Sequence, residues 1–186
     1  MKQNQHLLPM FVLLAACGCA NGPTTADDAT PPATQSNEKA DERSSESGEL
    51  TDLWTRKKGV DWPNFLGPNR DSKSPETGII SPWPEAGLKI VWQRELHTGY
   101  GIGSISKGRL YQLERQGNKA TLLCLNAESG DELWRFQYPT DYEDLLGFNN
   151  GPRCSPVIDG ERVYIYGAEG MLHCLRAGDG ELVWKL

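Results

Sequence analysis

The sequence has no cluster of lysine and arginine, although 19 of its 186 residues are basic. Binding of nucleic acid requires basic side chains gathered on one surface, so this absence excludes a phosphate-binding function of that kind. The chain also lacks an uninterrupted run of about 20 apolar residues, the length that a membrane-spanning helix needs. It contains no CxxC motif and no His/Cys cluster, which argues against a structural zinc site.

The chain is also poor in cysteine outside its amino terminus. Cys17 and Cys19 lie near the start, and the other three are Cys124, Cys154 and Cys174. Cys124 and Cys174 occupy the same place in a repeated sequence. Equivalent places in neighbouring repeats usually lie too far apart for a disulfide, so we expect both to be small core residues.

The amino terminus resembles a secretory signal. Lys2 precedes a mostly apolar run over residues 7–16, which is too short to span a bilayer. The run ends in LAAC at residues 14–17, which resembles a bacterial lipobox, where the cysteine is acylated. The alternative is an ordinary signal peptide cut near Ala20. The lipobox interpretation predicts a signal peptide over residues 1–16, lipidation of Cys17, and an exported, membrane-anchored protein in the periplasm or cell envelope.

Negative charge is concentrated just after this signal. Residues 20–50 contain seven acids and two bases, a balance of −5 out of the formal net charge of −6. The same segment has almost no large apolar side chains, so it cannot bury enough surface to offset the entropy of ordering. We therefore predict an acidic low-complexity linker over residues 17–52 and a folded domain over residues 53–186.

The rest of the chain reads as short strands joined by glycine-rich turns. Glycine tolerates the positive φ that tight hairpins need, so strands that follow one another in this way predict antiparallel meanders. The segment 138–152, rich in glycine, proline and asparagine, is predicted to be a loop. The predicted strands cover residues 88–96, 109–115, 120–126, 132–137, 155–158, 162–166, 171–176 and 181–185.

A repeat is the strongest pattern in the sequence. CLNAESGDELWRF begins at Cys124, and CLRAGDGELVWKL begins 50 residues later at Cys174. The two copies share cysteine, leucine, alanine, glycine and tryptophan at five matched positions. A period of about 40 to 50 residues with four strands per unit is typical of a β-propeller blade.

Both copies resemble the repeat of pyrroloquinoline-quinone-type (PQQ-like) β-propellers, although both replace that family's usual aspartate in the turn. The resemblance covers roughly residues 60–186 and is of the exported bacterial lipoprotein type. It implies an all-β propeller of four-stranded antiparallel blades, incomplete at about one to two blades, forming the amino-terminal part of a larger propeller. It also implies that the residues that dock neighbouring blades are Trp134, Trp184, Ala127, Gly130, Ala177 and Gly180.

The family contains two functional classes. One is the quinoprotein dehydrogenases, which oxidise alcohols or sugars with PQQ and Ca²⁺. The other is non-catalytic propellers, such as the outer-membrane assembly lipoprotein of the β-barrel assembly machinery. This chain has no adjacent Cys-Cys pair, and no motif assigns an Asp or Glu as base or metal ligand. We expect no catalytic and no metal-binding residue here, and a binding or scaffolding role with an envelope protein or with the remaining blades as partner. The alternative is a PQQ-dependent alcohol or sugar dehydrogenase, with PQQ and Ca²⁺ as cofactors, of which this chain is the amino-terminal part.

Asn149, Asn150 and Arg153 are the candidate binding residues. They lead into the first strand of a blade, and first strands line the central channel of a propeller. Arg153 could therefore bind an anion at the channel mouth. The alternative is that Arg153 pairs with one of the nearby acids Asp141, Glu143 and Asp144.

Overall fold

The structure is a computed structural model that describes residues 49–186. The predicted signal peptide, Cys17 and nearly all of the predicted linker lie outside the described residues. The described chain forms two four-stranded antiparallel sheets. Strands are its only regular elements, and none of it is a helix long and apolar enough to cross a membrane. The predicted all-β class with four-stranded antiparallel blades is confirmed.

Each sheet is a meander whose strands follow one another in sequence order. The first sheet contains β1 (Ser104–Ser106), β2 (Arg109–Gln116), β3 (Lys119–Asn126) and β4 (Glu132–Pro139). The second sheet contains β5 (Val157–Asp159), β6 (Arg162–Tyr166), β7 (Leu172–Arg176) and β8 (Leu182–Lys185). Seven of these strands were predicted to within a few residues, and β1 was not predicted.

The predicted strand over residues 88–96 was wrong. The structure gives this segment no regular strand, and several of its apolar side chains are exposed, among them Ile90 and Val91. A strand exists only where its backbone groups pair with a neighbouring strand. Within residues 49–186, this segment meets the first sheet through side chains and through an isolated bridge just beyond it, between Thr98 and Arg115.

The main core lies between the two sheets. Tyr111, Leu113 and Leu122 of the first sheet pack in one cluster with Val163 and Leu175 of the second. Both faces of β2 and β3 are buried, whereas side chains along β6 alternate between buried and partly exposed. This alternation is the pattern of a sheet covered on one face. The inner strands β2 and β3 are therefore covered on both faces, whereas β6 is covered on one.

The segment around Trp62 and Pro63, which we call the lead-in, pairs with the free edges of β1 and β5, the first strands of the two sheets. The backbone N–H of Trp62 donates to the carbonyl of Ile105 in β1 at 2.9 Å, and Ile105 donates back to Trp62 at 2.8 Å. The N–H of Ile158 in β5 donates to the carbonyl of Pro63 at 2.8 Å. Two consecutive residues thus pair with both first strands.

The two first strands lie close together because small residues separate them. A Cβ added at Gly101 would lie 2.1 Å from the carbonyl oxygen of Cys154, closer than real side chains approach. The hydroxyl of Ser104 donates to the carbonyl of Pro156 at 2.6 Å and is fully buried. The sheets therefore converge at β1 and β5.

Candidate functional site

The side chain of Trp134 on β4 joins the first sheet to the second. Its indole nitrogen donates to the carbonyl of Ala177 at 3.2 Å, and the hydroxyl of Tyr111 donates to the same carbonyl at 3.0 Å. The indole lies against Gly180, where an added Cβ would come within 2.4 Å of the ring. Gly180 also has a φ of +76°, which favours glycine. Trp134 on the outer strand of the first sheet thus packs against the turn between β7 and β8 of the second sheet.

Trp92 makes the same set of contacts on the first sheet. Its indole nitrogen donates to the carbonyl of Ala127 at 3.1 Å, and a Cβ at Gly130 would lie 2.8 Å from its ring. The guanidinium of Arg94 pairs with Glu132 at 2.8 Å. The segment around Trp92 therefore packs against the first sheet in the same way that β4 packs against the second.

Of the six predicted docking residues, Trp134 meets Ala177 and Gly180, and Ala127 and Gly130 meet Trp92. The sixth, Trp184 on β8, is 43 % exposed. Its ring centre lies 6.0 Å from that of Tyr164, close to the 5.8 Å between Tyr111 and Trp134. Trp184 thus lies beside Tyr164 much as Trp134 lies beside Tyr111.

The loop between β4 and β5 is held together by Asp144. Its carboxylate accepts hydrogen bonds from the backbone N–H of Phe148 at 2.9 Å and of Asn149 at 3.4 Å. These bonds, led by the one from Phe148, hold the pKa of Asp144 below its usual range. The side-chain oxygen of Asn150 accepts from the N–H of Asp144 at 2.8 Å, which closes the loop from the other side.

Arg153 pairs with an acid. Its guanidinium lies 3.1 Å from the carboxylate of Asp144 and donates to the carbonyl of Gly151 at 3.1 Å. The same cation lies over the rings of Tyr100 and Tyr142, at 5.5 and 5.1 Å from their centres. Of the two alternatives that the sequence left open, the described contacts match the pairing with Asp144.

The other two candidate binding residues also contact the loop itself. The side-chain oxygen of Asn149 accepts from the N–H of Gly151 at 2.7 Å, and Asn150 bonds to Asp144 as described. Arg115 on β2 ties the loop to the first sheet, since its buried guanidinium donates to the carbonyls of Tyr142 and Asn150. We call Arg115, Asp144, Asn149, Asn150 and Arg153 the brace, because their polar groups hold the loop.

Three large apolar side chains project from the braced loop into solvent. Leu145 is 99 % exposed, Leu146 77 % and Phe148 79 %. We call these three residues the apolar tip. Sequence analysis predicted the loop and considered its acids and asparagines, but it did not consider these three side chains. The signal was available, because an apolar trio inside a segment predicted to be an exposed loop has no core to enter.

The single histidine of the second sheet packs against β4 of the first sheet. His173 on β7 is buried, and its ring centre lies 4.4 Å from that of Tyr138 and 5.4 Å from that of Phe136, both on β4. Burial lowers the pKa of His173, because the charged ring would lose its hydration. His173 therefore belongs to the packing between the sheets.

The described residues do not fit a PQQ–calcium site by themselves. Such a site needs several carboxylate and amide oxygens around one Ca²⁺, together with a base. In residues 49–186 no group of three or more His, Cys, Asp or Glu side chains lies close enough to hold one metal ion. The described cysteines are all free, and Cys124 and Cys174 are buried as core residues.

Comparison with known proteins identifies the repeat. A family model described as outer membrane protein assembly factor BamB matches residues 84–186, which is 103 of the 186 residues. A search of curated proteins finds no match. One similar solved structure is BamB from Moraxella catarrhalis, with 23 % identity and a TM-score of 0.37 over 54 % of this chain and 27 % of that chain.

Another similar structure is a quinohemoprotein alcohol dehydrogenase from Comamonas testosteroni, with 17 % identity and a TM-score of 0.49. That match covers 68 % of this chain and 19 % of the dehydrogenase. The chain thus matches less than a third of the length of either protein. Because the family model matches more than half of this chain, the predicted resemblance is confirmed, and the chain belongs to the PQQ-repeat β-propeller family described as outer membrane protein assembly factor BamB.

Proposed function

We propose that this chain is part of a non-catalytic propeller that binds protein at the cell envelope. The observation that carries the proposal is the occupied inner edge of the two sheets. In a propeller the first strands face the central channel, where a cofactor would bind. Here Trp62 and Pro63 use the free backbone groups of Ile105 and Ile158, so the chain's own lead-in takes that edge.

The exposed surface supports the same proposal. Exposed apolar side chains that lie together mark sites of interaction with other molecules more often than single ones do. The apolar tip groups three of them on a loop that five polar side chains hold in place. The family's description as an assembly factor agrees with a role in binding other proteins.

A dehydrogenase assay tests the proposal. The native protein, supplied with PQQ and Ca²⁺, is mixed with a redox dye and with a panel of alcohols and sugars. We expect no dye reduction above the rate without PQQ. Reduction that depends on both PQQ and a substrate would show a quinoprotein dehydrogenase and overturn the proposal.

We also propose that residues 1–16 are a lipoprotein signal, that Cys17 carries the lipid, and that residues 17–52 link the membrane to the propeller domain at 53–186. The sequence LAAC at residues 14–17 supports this. Two or more acyl chains hold a protein firmly at a membrane, because each buried methylene contributes about 0.8 kcal/mol. Labelled palmitate should enter the protein and a Cys19→Ser control but not Cys17→Ser. Label in Cys17→Ser would contradict this proposal alone.

A further inference from the structure

We propose that the apolar tip, Leu145, Leu146 and Phe148, is an anchor that inserts into an apolar cleft of a protein partner whose rim is basic. This inference rests on the proposed protein-binding function and names the surface that performs it. The three side chains lie within four consecutive residues, 145–148, and each is at least 77 % exposed. They have no role in the core of either sheet.

The brace holds the tip in place before any partner binds. Asp144 fixes the backbone at Phe148, and Arg153 fixes Asp144. Arg115, itself buried, holds the loop at Tyr142 and Asn150. A loop that is already ordered loses less entropy on binding, which favours affinity.

The two blades that the loop joins are both part of the described structure. The loop joins β4 to β5, and both sheets that it connects are complete in the described residues. Neither sheet buries the tip, since Leu145 remains 99 % exposed. The occupant is therefore something other than the two blades next to it.

The exposed charged residues beside the tip are acidic. Asp141 and Glu143 are exposed beside the tip. Arg153 of the same loop is already paired with Asp144. An acidic surround repels the anionic headgroups of a membrane and attracts a basic rim. A cleft in a folded protein, apolar inside and basic at its edge, fits both the tip and its surround.

The first step of the test finds the contact. A photo-crosslinking amino acid replaces Phe148 in the full chain, which is expressed in its own cells. A control carries the same amino acid at Lys119, the exposed first residue of β3 in the first sheet. We expect a protein adduct from position 148 and none of the same mass from position 119. The protein found in the adduct is then used as the binding partner in the second step.

The second step measures binding of the purified cross-linked protein to the uncross-linked chain. The triple variant Leu145→Ser/Leu146→Ser/Phe148→Ser should bind at least about 100-fold more weakly, because buried apolar anchors dominate interface energy. Its urea midpoint should equal that of the wild type, since the tip supports no core. The variant Asp141→Asn/Glu143→Gln should lose several-fold in association rate, with a weaker salt dependence.

Four results would overturn the inference. One is an adduct with lipid, together with tip-dependent binding to phosphatidylcholine vesicles, which would make the tip a membrane anchor. Another is an adduct with the same chain, which would show that the protein covers its own tip. The third is no adduct, and the fourth is equal affinity of wild type and triple variant. The dehydrogenase assay separates these outcomes from failure of the proposed function, because it does not depend on the tip.

Discussion

Replacing Gly180 with alanine tests whether the contact with Trp134 holds the two sheets together. The new Cβ would lie 2.4 Å from Cε3 of the indole, so the ring must move. Moving it removes the hydrogen bond to the carbonyl of Ala177, now 3.2 Å long. The substitution also places a side chain on a residue whose φ is +76°.

The magnitude follows from these three changes. A non-glycine residue in the left-handed region costs about 1–2 kcal/mol. A lost hydrogen bond costs about 1 kcal/mol, and lost aromatic packing costs about 1 kcal/mol more. We therefore expect Gly180→Ala to lower the free energy of unfolding by about 3–4 kcal/mol, as the sum of these terms.

Gly160→Ala is the matched control. Gly160 also has a positive φ, +55°, but nothing lies within 4 Å of an added Cβ. It should cost only the backbone strain of about 1–2 kcal/mol. Urea unfolding of the full chain, followed by tryptophan fluorescence, measures both variants.

The decisive comparison adds Trp134→Ala. Without the indole, Gly180→Ala should cost no more than Gly160→Ala, because only strain remains. The double-mutant cycle should therefore show a coupling of about 2 kcal/mol between positions 134 and 180, within the range for residues in contact. The reasoning is refuted if Gly180→Ala costs the same with and without Trp134.

Three other outcomes concern titration, thiol access and the brace. Stability should fall as pH drops below 6.5, the usual pKa of histidine, because burial lowers the pKa of His173 and the unfolded chain then binds a proton that the folded chain excludes. Urea midpoints from pH 7.5 to 5 should show this slope in the wild type, and a smaller one in His173→Phe. A thiol reagent at pH 8 should modify the half-buried Cys154 before Cys124, which is fully buried and has a pKa raised to about 12; peptide masses show the order. Arg153→Ala removes the 3.1 Å pair with Asp144, so chymotrypsin should cut after Phe148 faster than in the wild type, and an unchanged rate would show that Arg153 is not part of the brace.

Much of the fold follows from local sequence patterns. Gly-rich turns and alternating apolar residues place β2 to β8 because each strand pairs with its neighbour in sequence. The short β1, with the sequence SIS, has no alternation long enough to detect. The segment 88–96 has good strand composition, but a strand needs a hydrogen-bonded neighbour, and composition does not provide one.

The contacts of the candidate site are harder to predict. The repeat singles out tryptophan, alanine and glycine, but only the structure shows that Trp134 meets Gly180 while Trp92 meets Gly130. The brace combines Arg115 from β2 with residues of the β4–β5 loop, far apart in sequence. Sequence reasoning weighed Arg153 as a ligand-binding group because the pattern does not show where a guanidinium points.

Equilibrium dialysis of the native protein against PQQ in the presence of Ca²⁺ tests the central claim most directly. Trp62 and Pro63 of the lead-in occupy the inner edge of the two sheets, and the proposed role of the surface is to bind other proteins. We therefore expect no saturable uptake of PQQ. Uptake that saturates at one PQQ per chain and disappears when Ca²⁺ is chelated would contradict it.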